Sequence, residues 1–127
     1  MFKKNRKLTE EERKWNMMWD LWVQGEVASP YAELMEYESE VNNGGHSQYF
    51  FNVSNCGDLN ADVEKILPVL PHPLNNNLKR AYDAFIGQED ICDDENDELF
   101  EECDDVFYQN ENLLMDILKL YASSLSL

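Results

Sequence analysis

The chain has 127 residues, enough for one domain that buries roughly two-thirds of the surface its unfolded chain exposes. Its formal net charge is −16, from 26 acidic and 10 basic residues, which argues against direct binding of nucleic acids or anionic membranes and favours basic proteins and cations. Six of the basic residues and three of the acidic ones fall within residues 1–14. We therefore divide the chain into a basic N-terminal arm with the start of a helix (1–14) and a single acidic helical domain (15–127).

The first predicted helix begins at a capping box, in which Thr9 is followed three residues later by Glu12. Behind the box, Trp15, Trp19 and Trp22 recur at helical spacing. Such a stripe is typical of a helix face that packs on the core. The alternative is that some of these tryptophans form the seam of a dimer, because aromatic residues are enriched at interfaces.

The second helix is predicted to start with Ser29 as its cap and Pro30 at its first helical position. It is predicted to stop at Gly44 or Gly45, since glycine closes a helix with little steric penalty. The turn leads into three consecutive aromatic residues, Tyr49–Phe51. Side chains of this size bury on the order of 150 to 250 Å² each. We therefore predict that all three lie in the core.

Three polar side chains border this apolar segment: Glu38, Gln48 and Asn52. Buried polar groups need hydrogen-bond partners. We expect a satisfied network beneath the glycine turn, and these residues are the first suspects if the chain is an enzyme. His46, beside the glycines, is expected to be structural or to face solvent.

Four further helices are expected downstream. Asp58 or Asn60 caps a short helix limited by Pro68, and Asn75–Asn77 caps a helix that ends near Gly87. The last two helices cover about 97–109 and 112–122. Neither strand alternation nor an internal repeat is present in the sequence. The predicted fold class is therefore all-α, a compact single-domain bundle of six or seven helices.

The segment Glu89–Asp105 holds eleven acidic residues among seventeen, with no Lys or Arg. On a helix, carboxylates three or four residues apart rise about 4.5 to 6 Å along the axis, comparable to the spacing of phosphates along nucleic acid. The opposing interpretation is the solvated face of an acidic protein. The predicted partner-binding residues are Asp90, Asp93, Asp94, Glu95, Asp97, Glu98, Glu101, Glu102, Asp104 and Asp105.

Other chemistries fit poorly. Asp93, Glu95 and Asp97 match the first ligand positions of a calcium loop, but Glu98 stands where the loop needs glycine and Asp104 where it needs glutamate. The two histidines lack zinc-site spacing, and no nucleophile elbow, P-loop or dinucleotide fingerprint is present. We predict no metal, no cofactor and no catalytic residues.

The cysteines point to a reducing compartment. Cys56, Cys92 and Cys103 are odd in number and form no C-x-x-C pair, which is typical of reduced thiols in the cytoplasm. The basic start is not followed by an apolar h-region, and no apolar run approaches the roughly 20 residues of a membrane span. We predict a cytoplasmic protein without a signal peptide.

The second helix and the segment after it carry the pattern E-x-E-V-x-N-G-G-x-x-Q-Y-F-F-N at residues 38–52. This pattern resembles the small acidic family that includes the bacterial DNA-mimic protein. Residues 99–108 also resemble that family's aspartate-rich, aromatic-ended helix, so the similarity covers roughly residues 30–121. The residues that form the structural motif are Glu38, Asn43, Gly44, Gly45, Gln48 and Asn52.

The resemblance implies an all-helical, dimeric and non-enzymatic fold whose acidic surface occupies the DNA-binding face of a regulator. We therefore expect a DNA-mimic-like binding module that engages a basic DNA-binding protein, with a role in transcription regulation. The alternatives are an immunity or antitoxin-like inhibitor of a basic toxin, or an acidic domain with a purely structural role.

Overall fold

The structure, a computed structural model, describes residues 7–87 and 94–127, with side chains from residue 96 onwards in the second range. Over these ranges the chain is all-helical and contains no strand, which confirms the all-α part of the predicted fold class. None of the described helices combines the length and the apolar character needed to cross a membrane. The five helices are α1 (Glu10–Val23), α2 (Tyr31–Cys56), α3 (Leu59–Ile66), α4 (Leu74–Gly87) and α5 (Asp94–Ser123).

Two predicted helix caps are confirmed. The Thr9 hydroxyl accepts a hydrogen bond from the Glu12 backbone N–H at 3.0 Å, and the Thr9 backbone N–H donates to the Glu12 carboxylate at 2.9 Å. At the start of α3, the Asp58 carboxylate accepts from the Ala61 backbone N–H at 3.1 Å. Each bond satisfies a backbone donor that a helix start leaves free.

Two other predicted caps are wrong. The Ser29 hydroxyl donates to the Glu33 carboxylate at 3.0 Å instead of capping the backbone of α2. The run Asn75–Asn77 lies inside α4, which already starts at Leu74. Its last member, Asn77, is buried and donates to the Cys103 carbonyl of α5 at 2.7 Å. A hydrogen bond between helices has replaced the predicted local one.

The predicted count of six or seven helices is wrong for the described residues because α5 is continuous. Residues 110 and 111, which separate the two predicted helices, are Asn and Glu, so the junction contains neither Gly nor Pro. The Asn110 side-chain amide donates to the Val106 carbonyl, four residues earlier in the same helix, at 2.9 Å. The side chain therefore does not form a local hydrogen bond that would favour a turn over the helix. The two predicted C-terminal helices are therefore one helix of 30 residues.

The predicted glycine stop in α2 is a kink. Gly44 (φ −156°, ψ 19°) and Gly45 (φ 80°, ψ 179°) leave helical geometry, and the helix resumes directly after them. We call this pair the kink. It redirects α2 without ending it, so Tyr49–Phe51 are helical.

Phe51 lies outside the core, contrary to the prediction, with 63% of its surface exposed, whereas Tyr49 and Phe50 are fully buried. Successive residues of a helix point about 100° apart, so three consecutive aromatic side chains cannot share one face. Phe50 packs near Phe85 of α4 and Phe100 of α5, with ring centroids 5.0 and 6.1 Å away. Phe50 therefore lies where α2, α4 and α5 meet, within a core to which all five helices contribute.

The tryptophan stripe of α1 packs against this core. Trp15, Trp19 and Trp22 meet edge to face at centroid distances of 6.1 and 5.5 Å and are partly buried, while Met18 between them is fully buried. The Lys14 ammonium also donates to the Ser123 carbonyl at the end of α5 at 3.1 Å. Both contacts hold α1 on the bundle.

Candidate functional site

The first half of α5 presents acidic residues away from its buried face. Phe100, Cys103 and Phe107 are buried and recur every three or four residues, so most positions between them point outward. We call the exposed acids the acidic ridge; its members are Asp97, Glu98, Glu101, Glu102 and Asp105.

The acidic ridge is linear because a helix holds it. Residues 97–105 rise about 12 Å along the helix axis, and Glu98, Glu101 and Asp105 follow one another at rises of about 4.5 and 6 Å. One strand of duplex DNA carries a phosphate about every 3.4 Å along its axis. The ridge is therefore a row of negative charges with a spacing of the same order.

One ridge acid has a basic neighbour. The Glu102 carboxylate accepts from the Arg80 guanidinium of α4 at 2.7 Å, and this hydrogen bond raises the pKa of Arg80. Both side chains are more than half exposed, and exposed pairs of this kind contribute roughly 0 to 1 kcal/mol. Within the described residues, the other four ridge acids form no ion pair.

Asp104 lies beside the ridge in sequence but points inward. Its carboxylate accepts from the His46 backbone N–H at 2.8 Å and pairs with His46 Nδ1 at 2.7 Å. His46 is fully buried, and its Nε2 pairs with the Tyr37 hydroxyl at 2.7 Å. Only 23% of the Asp104 side chain is exposed. Its hydrogen bonds join α5 to His46, the residue that follows Gly45.

The kink requires glycine at both positions. A Cβ on Gly45 would stand 2.4 Å from Asp104 Oδ2, and its φ of +80° is strained for other residues. A Cβ on Gly44 would stand 2.0 Å from Gln48 Oε1 and 2.9 Å from Gln48 Cβ. Backbone and side chains therefore approach more closely here than any larger residue allows.

The polar residues predicted to form one network form two. Gln48 and Asn52 each donate to Glu40 Oε1 at 2.9 Å, which ties the second half of α2 to the first across the kink. Asn43 is exposed. Asn52, Gln48 and Glu40 are all partly buried, so these charge-assisted bonds lie in partial shelter from water.

Glu38 belongs to the second network, which joins α2 to α5. The Asn42 amide donates to Glu38 Oε2 at 2.7 Å and to Glu111 Oε2 at 2.6 Å. Burial, the hydrogen bond with Glu111 and the charge of Glu111 raise the pKa of Glu38 to about 7. Near neutral pH the Glu38 carboxyl is therefore only partly ionised.

Four predicted partner-binding residues have no side-chain description. Asp90 and Asp93 lie outside the described residues, and Asp94 and Glu95 are described only as backbone at the start of α5. Their part in a binding surface stays a prediction.

The pairing of His46 with Asp104 was not predicted from the sequence, although helical spacing indicated that Asp104 faces inward. Asp104 is four residues after Phe100 and three before Phe107, so it shares their inward stripe. Nothing in the sequence pointed to Tyr37 as the partner of His46. The described residues contain no group of three His, Cys, Asp or Glu side chains that could hold a metal ion.

Comparison with protein families gives one match. The family model described as DMP19-like protein matches residues 31–124, which include α2, the kink and the acidic ridge. DMP19 is a family of DNA-mimic proteins and is a non-catalytic binding family. Neither a curated protein nor a solved structure matches the chain significantly.

Proposed function

The chain belongs to the DMP19-like protein family, and on that premise we propose that its acidic ridge occupies the DNA-binding face of a basic protein such as a transcriptional regulator. The ridge meets lysine and arginine side chains that otherwise contact phosphates. The kink and its hydrogen bonds fix the position of α5 relative to α2.

One observation carries the proposal: α5 exposes five carboxylates over about 12 Å of helix, and four of them have no ion-pair partner within the described residues. Charges without partners attract a basic surface over distance and bring it to the ridge quickly. The exposed Arg80–Glu102 pair can exchange its partner at little cost.

The geometry supports a smaller surface than the sequence suggested. We leave Asp104 out of the proposed surface, because its carboxylate already accepts from His46. Asp90, Asp93, Asp94 and Glu95 extend the ridge in sequence, and we keep them as proposed contacts. We also propose a cytoplasmic location, a role in transcription regulation and a homodimer.

Affinity capture from extract of the protein's own cells tests the proposal. The wild type is compared with a ridge variant, Glu98→Gln/Glu101→Gln/Asp105→Asn, and with a control, Glu64→Gln/Asp83→Asn/Asp116→Asn, that removes three other exposed charges. We expect the wild type and the control to retain a basic DNA-binding protein at low salt, and the ridge variant to lose it. High salt and duplex DNA should each release that protein.

Retention of the same protein by the ridge variant would contradict the proposal. So would a complex that is equally stable at both salt concentrations and indifferent to duplex DNA. Capture of a basic toxin that duplex DNA does not release would favour the immunity alternative. Light scattering during size-exclusion chromatography tests the homodimer separately.

A further inference from the structure

A second site lies away from the ridge, in a pocket of about 230 Å³ between α1, the first half of α2 and α3. Trp22, Gly25 and Val27 line it from α1 and the following turn, and none of these residues is charged. On the other side it is lined by Ala32 and three carboxylates, Glu33, Glu36 and Asp62. The pocket therefore combines an aromatic ring with concentrated negative charge.

The charge in this pocket is incompletely balanced. The Lys65 ammonium lies 3.5 Å from Glu33 Oε2, and its side chain is about half exposed. The other oxygen of the same carboxylate, Glu33 Oε1, is buried without a hydrogen-bond partner, and only 15% of the Glu33 side chain is exposed. A buried acceptor without a hydrogen-bond partner is unfavourable, so a donor that reached it would bind favourably.

The Tyr49 hydroxyl is a second polar group without a partner. Tyr49 is fully buried and its hydroxyl oxygen has no hydrogen bond. Burial, followed by the charges of Asp62, Glu36 and Glu33, raises the pKa of Tyr49 well above its usual value. The charges of the same three carboxylates therefore act on the Tyr49 hydroxyl, although Tyr49 is not one of the residues that line the pocket.

Protonation already offsets part of the negative charge. Burial, then the charge and hydrogen bond of Asp62, then the charges of Glu40 and Glu33, raise the pKa of Glu36 to about 7. Burial likewise raises the pKa of Asp62, which the hydrogen bond from Glu36 and the charge of Lys65 oppose. A cation that enters the pocket must therefore compete with this proton.

We propose that the pocket binds a guanidinium or primary ammonium group carried on a flexible chain. A guanidinium has five N–H donors in a plane and an ammonium has three, so either can donate to the unpaired Glu33 oxygen and to a neighbouring carboxylate at once. Trp22, whose indole N–H already donates to the Ala32 carbonyl at 3.1 Å, offers its ring to the cation. The site is built from other helices than the ridge and is independent of the function proposed above.

Isothermal titration calorimetry tests the site by measuring the affinity for two probes. The first is agmatine and the second is a blocked arginine, N-acetyl-arginine N-methylamide. Agmatine represents a free small molecule and the blocked arginine represents a side chain of another protein. Tighter binding of either probe identifies the source and supports the site. We compare the wild type with Glu36→Gln, which copies the protonated carboxyl and is expected to fold, and with Asp83→Asn, an exposed acid on α4.

The wild type and Asp83→Asn should bind about fivefold or more tightly at about pH 8 than at about pH 6, because Glu36 loses its proton across that range. Both probes keep their guanidinium charge at these pH values. Glu36→Gln should bind about tenfold more weakly at the higher pH and lose the pH dependence. No binding by either probe, equal binding by Glu36→Gln and the wild type, or equal displacement by Na⁺ or Mg²⁺ at matched ionic strength would overturn the proposal.

Discussion

The kink and the acidic ridge both use carboxylates of α5, and they differ in whether those carboxylates have hydrogen-bond donors. At the kink, Asp104 accepts from the backbone and the ring of His46. One residue later, Asp105 is exposed and unpaired within the described residues. In a chain this acidic, charge alone does not separate carboxylates that stabilise the fold from those we propose to bind a partner. The presence of a hydrogen-bond donor does.

The comparison also has an energetic side. Removing a buried, hydrogen-bonded carboxylate lowers the free energy of unfolding by roughly 1.5 to 3 kcal/mol. Exposed like charges four residues apart on a helix instead cost about 0.2 to 0.5 kcal/mol per pair. Kink variants should therefore lower the free energy of unfolding, and ridge variants should leave it unchanged or raise it.

The largest effect is expected for Gly45→Ala. The added Cβ meets the Asp104 carboxylate at 2.4 Å, and φ is +80°, so steric overlap and backbone strain combine. We expect the free energy of unfolding in urea to fall by about 3 kcal/mol or more. Gly25→Ala is the matched control, since Gly25 has a φ of +76° and nothing within 4 Å of the added Cβ. An equal loss in both variants would show that the approach of Asp104 does not matter.

The next effect separates neighbouring aspartates. Asp104→Ala removes the acceptor of two bonds from His46 and should lower the free energy of unfolding by about 2 kcal/mol. Asp105→Ala should change it by less than about 0.5 kcal/mol. Urea unfolding followed by circular dichroism measures both. Similar losses in the two variants would contradict the assignment of Asp104 to the interior.

A smaller effect depends on pH. Because the pKa of Glu38 rises from 4.5 to about 7 on folding, its protonation stabilises the native state fully below about pH 4.5, and that contribution is lost as the pH rises through about 7. Glu38→Gln removes this dependence. Allowing for solvent screening of a half-buried group, the variant should gain about 1 kcal/mol over the wild type between about pH 5 and pH 8.

Unfolding of Glu38→Gln at the two pH values checks this prediction. Glu64→Gln, which changes an exposed glutamate of α3, is the control for general charge repulsion. If both variants respond to pH equally, the carboxyl pair of Glu38 and Glu111 is not the cause.

The smallest effect has the opposite sign. Glu101 has a like-charged ridge neighbour four residues away on each side, Asp97 and Asp105. Glu101→Gln should therefore raise the free energy of unfolding by about 0.4 to 1 kcal/mol at low salt, and the gain should vanish at high salt. A loss of stability would mean that Glu101 has a structural role. The measurement is urea unfolding at two salt concentrations.

The sequence was informative where local rules decide the structure. The capping box at Thr9 and a cap at Asp58 or Asn60 were predicted from spacing alone, and the structure has the capping box and a cap at Asp58. The glycine pair was recognised as a break in the helix. It did not end α2, which resumes directly after the glycines, and hydrogen bonds from Gln48 and Asn52 to Glu40 join the two halves.

The rest depends on contacts between helices that spacing does not encode. Asn77 was predicted to be a cap, but its partner is the Cys103 carbonyl of another helix. His46 gained its role from Tyr37 and Asp104, which are 9 and 58 residues away in sequence. The prediction that all of Tyr49–Phe51 lie in the core was wrong because it ignored the angle between successive side chains on a helix. That angle places Phe51 at the surface.

The most direct test of the central claim is the affinity of Asp104→Ala and Asp105→Ala for the basic protein captured by the wild type, at a temperature where both variants are folded. Each variant removes one negative charge, and the two positions are adjacent. We predict that Asp105→Ala binds several-fold more weakly and that Asp104→Ala binds like the wild type. Equal loss of affinity in both variants, or a loss confined to Asp104→Ala, would contradict a binding surface made of exposed ridge carboxylates.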